Sequence, residues 1–395
     1  MNSSYSYRIY TTVSALPDQW DRIADGNIFL TKLYLDVLEK SGPENMVGHF
    51  IGIFDGMDLT GVAIAQFLDL NSMESFGNRD KCLKTMVRNF VFRNFASQVL
   101  FIGNNMLTGQ NAYAFAQRTD HAAALGALKM ATAELHQIYK AQGKKIHLTT
   151  YKDFDANEAD TFRIPQFSDT YRFSTQPNMI LEIDDSWHSE QDYINAISKK
   201  YRDQYKRARK KAAGITKKKL SLDEIASSQD TIYNLYLHVA KHAPFNSFFL
   251  AKNHFRVFKQ NLKESFLFYG YFEEEQLVGF STLIKNGTTM ETYFLGYDET
   301  VQREKMLYLN MLYDMIAYSI NKGFKKIIFA RTALEIKSSV GAEPVEMFGF
   351  IVHANPILNR YVGKIFDYVE PKTVWQQRHP FKISEPLSSS VPGES

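Results

Sequence analysis

One landmark occurs twice in this 395-residue chain, and it limits the fold more than any other feature. Residues 50–64 and 267–281 each read as two apolar strands joined by an acidic turn. Phe54, Leu59 and Gly61 of the first match Phe272, Leu277 and Gly279 of the second, an offset of 218 positions (277 − 59). An apolar run, a short polar turn and a second apolar run is the pattern of a β-hairpin. A second landmark follows each hairpin. Residues 133–142 and 308–321 read as helices, and Gly143 and Gly323 stand just past them, where glycine commonly ends a helix. A Lys-Lys-Ile strand comes next, at Lys144-Lys145-Ile146 and Lys325-Lys326-Ile327, with an offset of 181 (327 − 146). The first copy therefore carries 37 additional residues (218 − 181), which places a helical insertion near 74–97.

Each half also has a strand between hairpin and helix, at 98–102 and 290–296, and short helices upstream, at 34–40 and 228–242. This order predicts an α/β chain of two tandem domains, each a mixed β-sheet flanked by helices. The expected boundaries are an N-terminal domain over 1–150, a linker over 151–178, a C-terminal domain over 179–382 and a Ser/Pro-rich disordered tail over 383–395.

Several chemistries lack their residues. The single cysteine, Cys82, has no histidine beside it, which excludes a disulfide framework within the chain and disfavours a thiol nucleophile. The ten histidines include one i, i+4 pair, His238 and His242, with no third ligand near in sequence, so no metal is expected. No Gly-x-x-x-x-Gly-Lys-Ser/Thr, Gly-x-Gly-x-x-Gly or Gly-x-Ser-x-Gly motif occurs. No apolar run is long enough to span a bilayer and no signal peptide is visible, so a cytoplasmic location is expected.

Charge is distributed unevenly. Between Lys199 and Lys219 there are 11 Lys or Arg and one acid, a net +10, in a chain of net +3, so the remainder sums to −7 (3 − 10). Ile194, Ile197, Tyr201, Tyr205, Ala208 and Ala212 recur at helical spacing, which gives this basic segment one packing face. Arg202, Lys206 and Arg209 then point elsewhere. Three readings stand for them: a solvated face, a site for a phosphate-bearing ligand, or a nucleic-acid interface. A second charged tract, 330–342, directly follows the last strong strand and contains Arg331, Glu335 and Lys337. Charged residues at the carboxyl end of a buried strand commonly face a ligand crevice.

The tandem halves, the helix with Lys199-Lys200-Tyr201-Arg202 and Arg207-Ala208-Arg209-Lys210-Lys211, and the tract from Glu335 to Ala342 together resemble the GNAT N-acyltransferase superfamily, in its two-domain FemAB-like branch. The resemblance covers residues 5–345. It implies transfer of an acetyl or aminoacyl group from an activated donor to an amine, on a cell-wall or polysaccharide precursor. The donor would be acyl-CoA, or aminoacyl-tRNA as the alternative; tRNA is otherwise not an expected partner. It places a carbonyl-polarising backbone N–H on the strand 290–296. Glu291 and Asp298 are the candidate bases, Lys337 the candidate for stabilising charge, and Tyr293, Tyr297 and Tyr308 the candidates for protonating the leaving group. Gln302 and Arg303 occupy the place of the donor-phosphate loop, where the superfamily has glycines and this chain has none. The competing class is a non-catalytic relative that binds a glycan, a nucleotide-sugar or a protein.

Overall fold

A computed structural model describes residues 5–72, 97–243, 246–369 and 375–382. The expected insertion near 74–97 and the tail over 383–395 lie, but for Ser97, outside the described residues.

The strands are β1 Tyr5–Tyr10, β2 Met46–Asp55, β3 Asp58–Asp69, β4 Gln98–Ile102, β5 Tyr113–Phe115, β6 Leu148–Phe154, β7 Tyr171–Glu182, β8 Ile215–Lys219, β9 Phe266–Glu273, β10 Gln276–Asn286, β11 Thr289–Tyr297, β12 Lys326–Ala330 and β13 Glu343–His353. They form one sheet in the order β1-β2-β3-β4-β6-β13-β7-β12-β11-β10-β9-β8, with β5 continuing along β3 beyond β4.

The two halves of this sheet match in detail. In the β2–β3 hairpin Thr60 bulges between the pairs Ile53–Gly61 and Phe54–Leu59. In the β9–β10 hairpin Val278 bulges between Leu277–Phe272 and Gly279–Tyr271. The bulges are again 218 residues apart (278 − 60), so the hairpins are equivalent residue by residue. A bulge adds local twist and is a designed feature of a strand rather than a defect. The next strand is antiparallel in each half, β4 on β3 and β11 on β10, and the one after is parallel, β6 on β4 and β12 on β11.

The register corrects the second offset. Ala65 pairs with Ile102 and Leu283 with Thr292, so Phe101 and Glu291 are equivalent. Phe101 pairs with Thr150, and Glu291 with Ile328. The strand offset is therefore 178 (328 − 150), and the first half carries 40 extra residues (218 − 178). The repeated Lys-Lys-Ile misleads because Lys145 and Ile146 precede strand β6, whereas Lys326 and Ile327 lie within β12.

The largest departure from expectation is at the junction. The range 151–178 holds the end of β6, a helix at Ala156–Asp160 and most of β7. Moreover, β7 follows β6 in the chain but pairs antiparallel with β12 and β13. Strand β13 follows β12 but pairs antiparallel with β6 and β7. Each half thus completes its sheet with the last strand of the other.

Three cores result. The helix His121–Ala141 packs Leu125, Leu128 and Leu135 on the first-half sheet, and the helix Leu307–Asn321 packs Met311, Leu312 and Ile316 on the second. The third core is common to both halves. Trp20, Phe29 and Tyr34 meet Tyr236, Phe255 and Phe258 there, and the helix Lys32–Ser41 lies against the helix His254–Leu262. Burial of so many aromatic rings across the junction contributes about 2 kcal/mol for each fully buried side chain.

With strands exchanged and a core in common, neither half has a complete sheet or core alone. Heating should give a single calorimetric transition with calorimetric and van't Hoff enthalpies in agreement. Two resolved transitions would show that the halves fold separately.

Candidate functional site

Strands β11 and β12 stay paired only from Thr289–Lys326 to Glu291–Ile328 and then diverge. Two irregularities drive them apart. On β11, Tyr293 and Phe294 stand opposite the single residue Thr282, a bulge between Leu283–Thr292 and Ser281–Leu295. Thr282 Oγ1 donates to the Phe294 carbonyl at 2.5 Å. On β12, Ala330 takes φ 58°, and Thr332 and Ala333 follow at 66° and 46°. Three non-glycine residues in the left-handed region within four positions are costly, and such strain persists where surrounding structure holds it.

The gap opens a cavity of about 510 Å³ that passes between the strands. Tyr236 and Val239 line it from one face of the sheet, Tyr308, Leu312 and Met315 from the other. The first half contributes Met106, Leu107 and Thr108. These belong to the excursion between β4 and β5, which interrupts the counterpart of β11 at the level of its bulge. So one half opens at this level, and the other fills the opening.

Among the acidic and basic side chains that line the cavity, Glu291 and Lys337 are the two that are buried. Glu291 is 7% exposed, and burial pushes its carboxyl up to about 7. It accepts from the Asn286 amide at 3.5 Å, and Asn286 Oδ1 in turn accepts the Ile28 backbone N–H from the first half. Lys337 is 5% exposed, and burial lowers its amine to about 7. Its Nζ donates to the carbonyls of Ala330 at 3.3 Å and Arg331 at 2.6 Å, both exposed to it by the left-handed turn. Groups of opposite type brought near neutrality in one cleft can exchange protons at physiological pH.

Behind this wall an ion chain joins the halves. Arg331 Nε donates to the Gln176 carbonyl at 3.0 Å, and its Nη2 pairs with Asp153. Asp153 also meets Lys152 Nζ at 2.5 Å, and Lys152 donates to the carbonyls of Asn104 and Leu107 at 3.0 and 3.1 Å. Burial lowers the Lys152 amine, opposed by Asp153. The chain fixes both the Met106–Thr108 wall and the Arg331 carbonyl that holds Lys337. A third link ends on the bulge. His254, fully buried and lowered to about 4 by desolvation, lies 2.9 Å from the Ser41 carbonyl through Nδ1. A neutral ring with Nδ1–H donating there presents Nε2 as an acceptor to the Tyr293 hydroxyl at 3.0 Å.

Of the residues expected at a site, Glu291, Arg331 and Lys337 line this cavity, as do Tyr293, Tyr297 and Tyr308; the others do not. Asp298 caps the helix Glu299–Lys305, accepting the N–H groups of Thr300 and Val301, so its carboxylate is used in the cap. Gln302 and Arg303 lie on that helix, and Arg303 is tied to Glu299 at 2.7 Å. Glu335 pairs with Arg378 on the surface. On the basic helix Lys199–Lys211, Arg202 donates to the Ile197 carbonyl at 2.6 Å and Lys206 is exposed. Arg209 is held between Glu190 at 2.8 Å and Asp314 at 2.7 Å, over the rings of Tyr205 and Tyr313. Two carboxylates already meet its charge, which leaves Arg209 no role as an anion anchor. Lys152, Asp153, His254 and the Met106–Thr108 wall were not anticipated; the polar run around Asn104 and Asn105 was the available signal.

The raised Glu291 carboxyl has a direct consequence for stability. Its neutral form is favoured in the fold, so its contribution is fully present below pH 4.5 and is lost as pH rises through about 7. Glu291→Gln, which cannot ionise, should therefore raise the melting temperature by a few degrees at pH 8, on the order of 1–2 kcal/mol, and leave it unchanged at pH 4.5. Equal effects at both pH values would show that the carboxyl is not desolvated.

No family model and no curated protein matches this sequence. Similarity appears at the level of structure. FemX superposes with a TM-score of 0.52 over 93% of this chain and 100% of its own, at 12% identity. A tandem GNAT protein from the clavulanic acid biosynthesis pathway superposes with a TM-score of 0.50 over 89% of this chain and 99% of its own, at 10% identity. The duplicated halves, the parallel strands that part at a bulge and these whole-length superpositions identify the fold as the two-domain GNAT fold of the FemAB-like type.

Proposed function

We propose that the cavity transfers an acyl group from an activated donor, a thioester or an ester, to an amine. The observation that carries this reading is the placement of a buried carboxyl, Glu291, beside a strand bulge in a cleft that also holds a buried lysine. The amine nitrogen attacks the donor carbonyl carbon, forming the C–N bond. A backbone N–H released from pairing at Tyr293–Phe294 polarises the carbonyl oxygen as negative charge develops on it. Glu291 takes the proton that the nitrogen must lose. Collapse breaks the C–S or C–O bond, and the departing group takes a proton. Lys337 is suited to give it, since two of its three ammonium protons are held by the Ala330 and Arg331 carbonyls and one remains for the cavity. Orientation supplies much of the remaining rate enhancement, because two substrates are held at one gap.

The donor's carrier is less well provided for. The segment before the helix Leu307–Asn321 has no glycine, and its cations are engaged: Arg303 with Glu299, Lys305 with Glu273 at 2.9 Å. A CoA pyrophosphate therefore has no glycine-amide cradle there. This supports an ester donor such as aminoacyl-tRNA over acyl-CoA, and it also supports the second reading, a binding protein for a glycan, nucleotide-sugar or protein partner.

The test is turnover with two donor classes, acyl-CoA followed by thiol release and aminoacyl-tRNA followed by loss of the ester, each against a panel of primary amines. Glu291→Gln should lower kcat by about 10²–10⁴-fold with little change in KM. Lys337→Met, which fills the same volume, should lower it less. Stabilisation by a donor without turnover would favour the binding reading. Full activity in Glu291→Gln would remove this carboxyl from the mechanism.

A further inference from the structure

Beyond the acyl-transfer site, the surface near the C-terminus presents an unusual face. The helices Pro356–Asn359 and Val362–Val369 are joined by Arg360 and Tyr361. Val362 and Phe366 pack on Phe173 and Ile351 of β7 and β13. Gly363 lets the backbone press on the Tyr171 ring, since a Cβ there would lie 2.6 Å from it. The element is thus seated on the exchanged strands, and its other side is turned outward. That side carries Ile357, Tyr361 and Ile365 at i, i+4 and i+8, exposed by 69%, 53% and 41%. Scattered apolar residues are normal on a surface, but here three exposed ones stand within nine positions, one on each short helix and one in the turn between them.

Charge accompanies the stripe. Arg360 and Lys364 are exposed beside it, ahead of the first acid of this stretch, Asp367, and among the described residues no ion pair is found for either cation. Both also wall a groove of about 380 Å³ with Asp169, Thr170, Tyr171 and Asn359. The one carboxylate of that groove, Asp169, is neutralised by Lys129 at 2.5 Å. An apolar stripe flanked by cations, next to a cationic groove of headgroup size, has the pattern of an element that lies in a lipid interface. No helix among the described residues is long and apolar enough to cross a membrane. We propose that this face docks the protein peripherally on an anionic phospholipid surface, with Ile357, Tyr361 and Ile365 entering the boundary layer and Arg360 and Lys364 taking the lipid phosphate.

The full chain should be sedimented with vesicles of phosphatidylcholine alone and of equal parts phosphatidylcholine and phosphatidylglycerol. Binding to the anionic vesicles should be stronger by roughly thirtyfold, as two surface cations provide, and should weaken in 0.5 M salt. The pair Ile357→Ser/Tyr361→Ser should abolish binding, and Arg360→Glu/Lys364→Glu should remove the preference for anionic lipid. All four positions are exposed, so the melting temperature serves as the control for folding. The proposal is overturned if the unaltered protein does not sediment with anionic vesicles, or if both variant pairs sediment as it does. It is equally overturned if light scattering detects a dimer that the Ile357→Ser/Tyr361→Ser pair dissolves, since the stripe would then belong to a second copy.

Discussion

A β-strand at the edge of a sheet exposes N–H and C=O groups that must find partners, and in this chain the partners come from the opposite half. Strand β7 leaves the first half to pair with β12, and β13 returns from the second to pair with β6. The seam between them, β13 on β7, is antiparallel and turns two sheets into one. Much else follows from this exchange. Gln176, whose carbonyl receives Arg331, lies on β7, and Asp153, which receives the same guanidinium, lies at the end of β6. A buried ion pair is weak evidence for stability, because desolvation offsets much of its attraction, but its geometry is demanding. Here it sets the turn after β12 and hence the carbonyls that hold Lys337.

The equivalence of the halves makes their difference informative. Both have a hairpin with a bulge at the same place, and both have parallel strands that pair for only a few residues. In the second half the parting strands enclose space. In the first, residues between β4 and β5 leave the sheet and are bound through Asn104 and Leu107 to Lys152. One copy has kept an open cleft while the other has become part of its wall. That division explains why the buried acid and the buried lysine occur in the second half, whereas the inter-half supports, Ile28 with Asn286 and Ser41 with His254, draw on the first.

Much of this was legible in the residues. Hairpin periodicity, the Phe-Leu-Gly landmarks and the glycine-ended helices predicted duplicated α/β halves, because those signals are local. The exchange was not legible, since an apolar strand such as Met347 to Ile351 encodes burial and not the identity of its partner. The strand offset was misjudged by three residues because a short basic motif recurs without being structurally equivalent. Within the site, Arg331 and Lys337 could be picked out because their tract follows a strong strand, and Glu291 through the family resemblance. Asp298 and Arg209 could not be separated from them, because a capping carboxylate and a doubly paired guanidinium look the same in sequence as free ones. Lys152 and Asp153 were hidden in a stretch that read as a polar linker, for a buried ion chain has the composition of a loop.

The exchanged strands also set an order of events during synthesis. When residues 1–182 have left the ribosome, β6 has no neighbour on its outer side, and β7 has none on either. Their partners are more than a hundred residues from being made. The nascent first half must therefore wait with an unpaired, largely apolar sheet edge, the kind of surface on which chains misassociate. Closure comes only when β13 emerges and slides between β6 and β7. A protein built this way is finished by nearly its last strand, so premature termination even late in the chain leaves both halves incomplete.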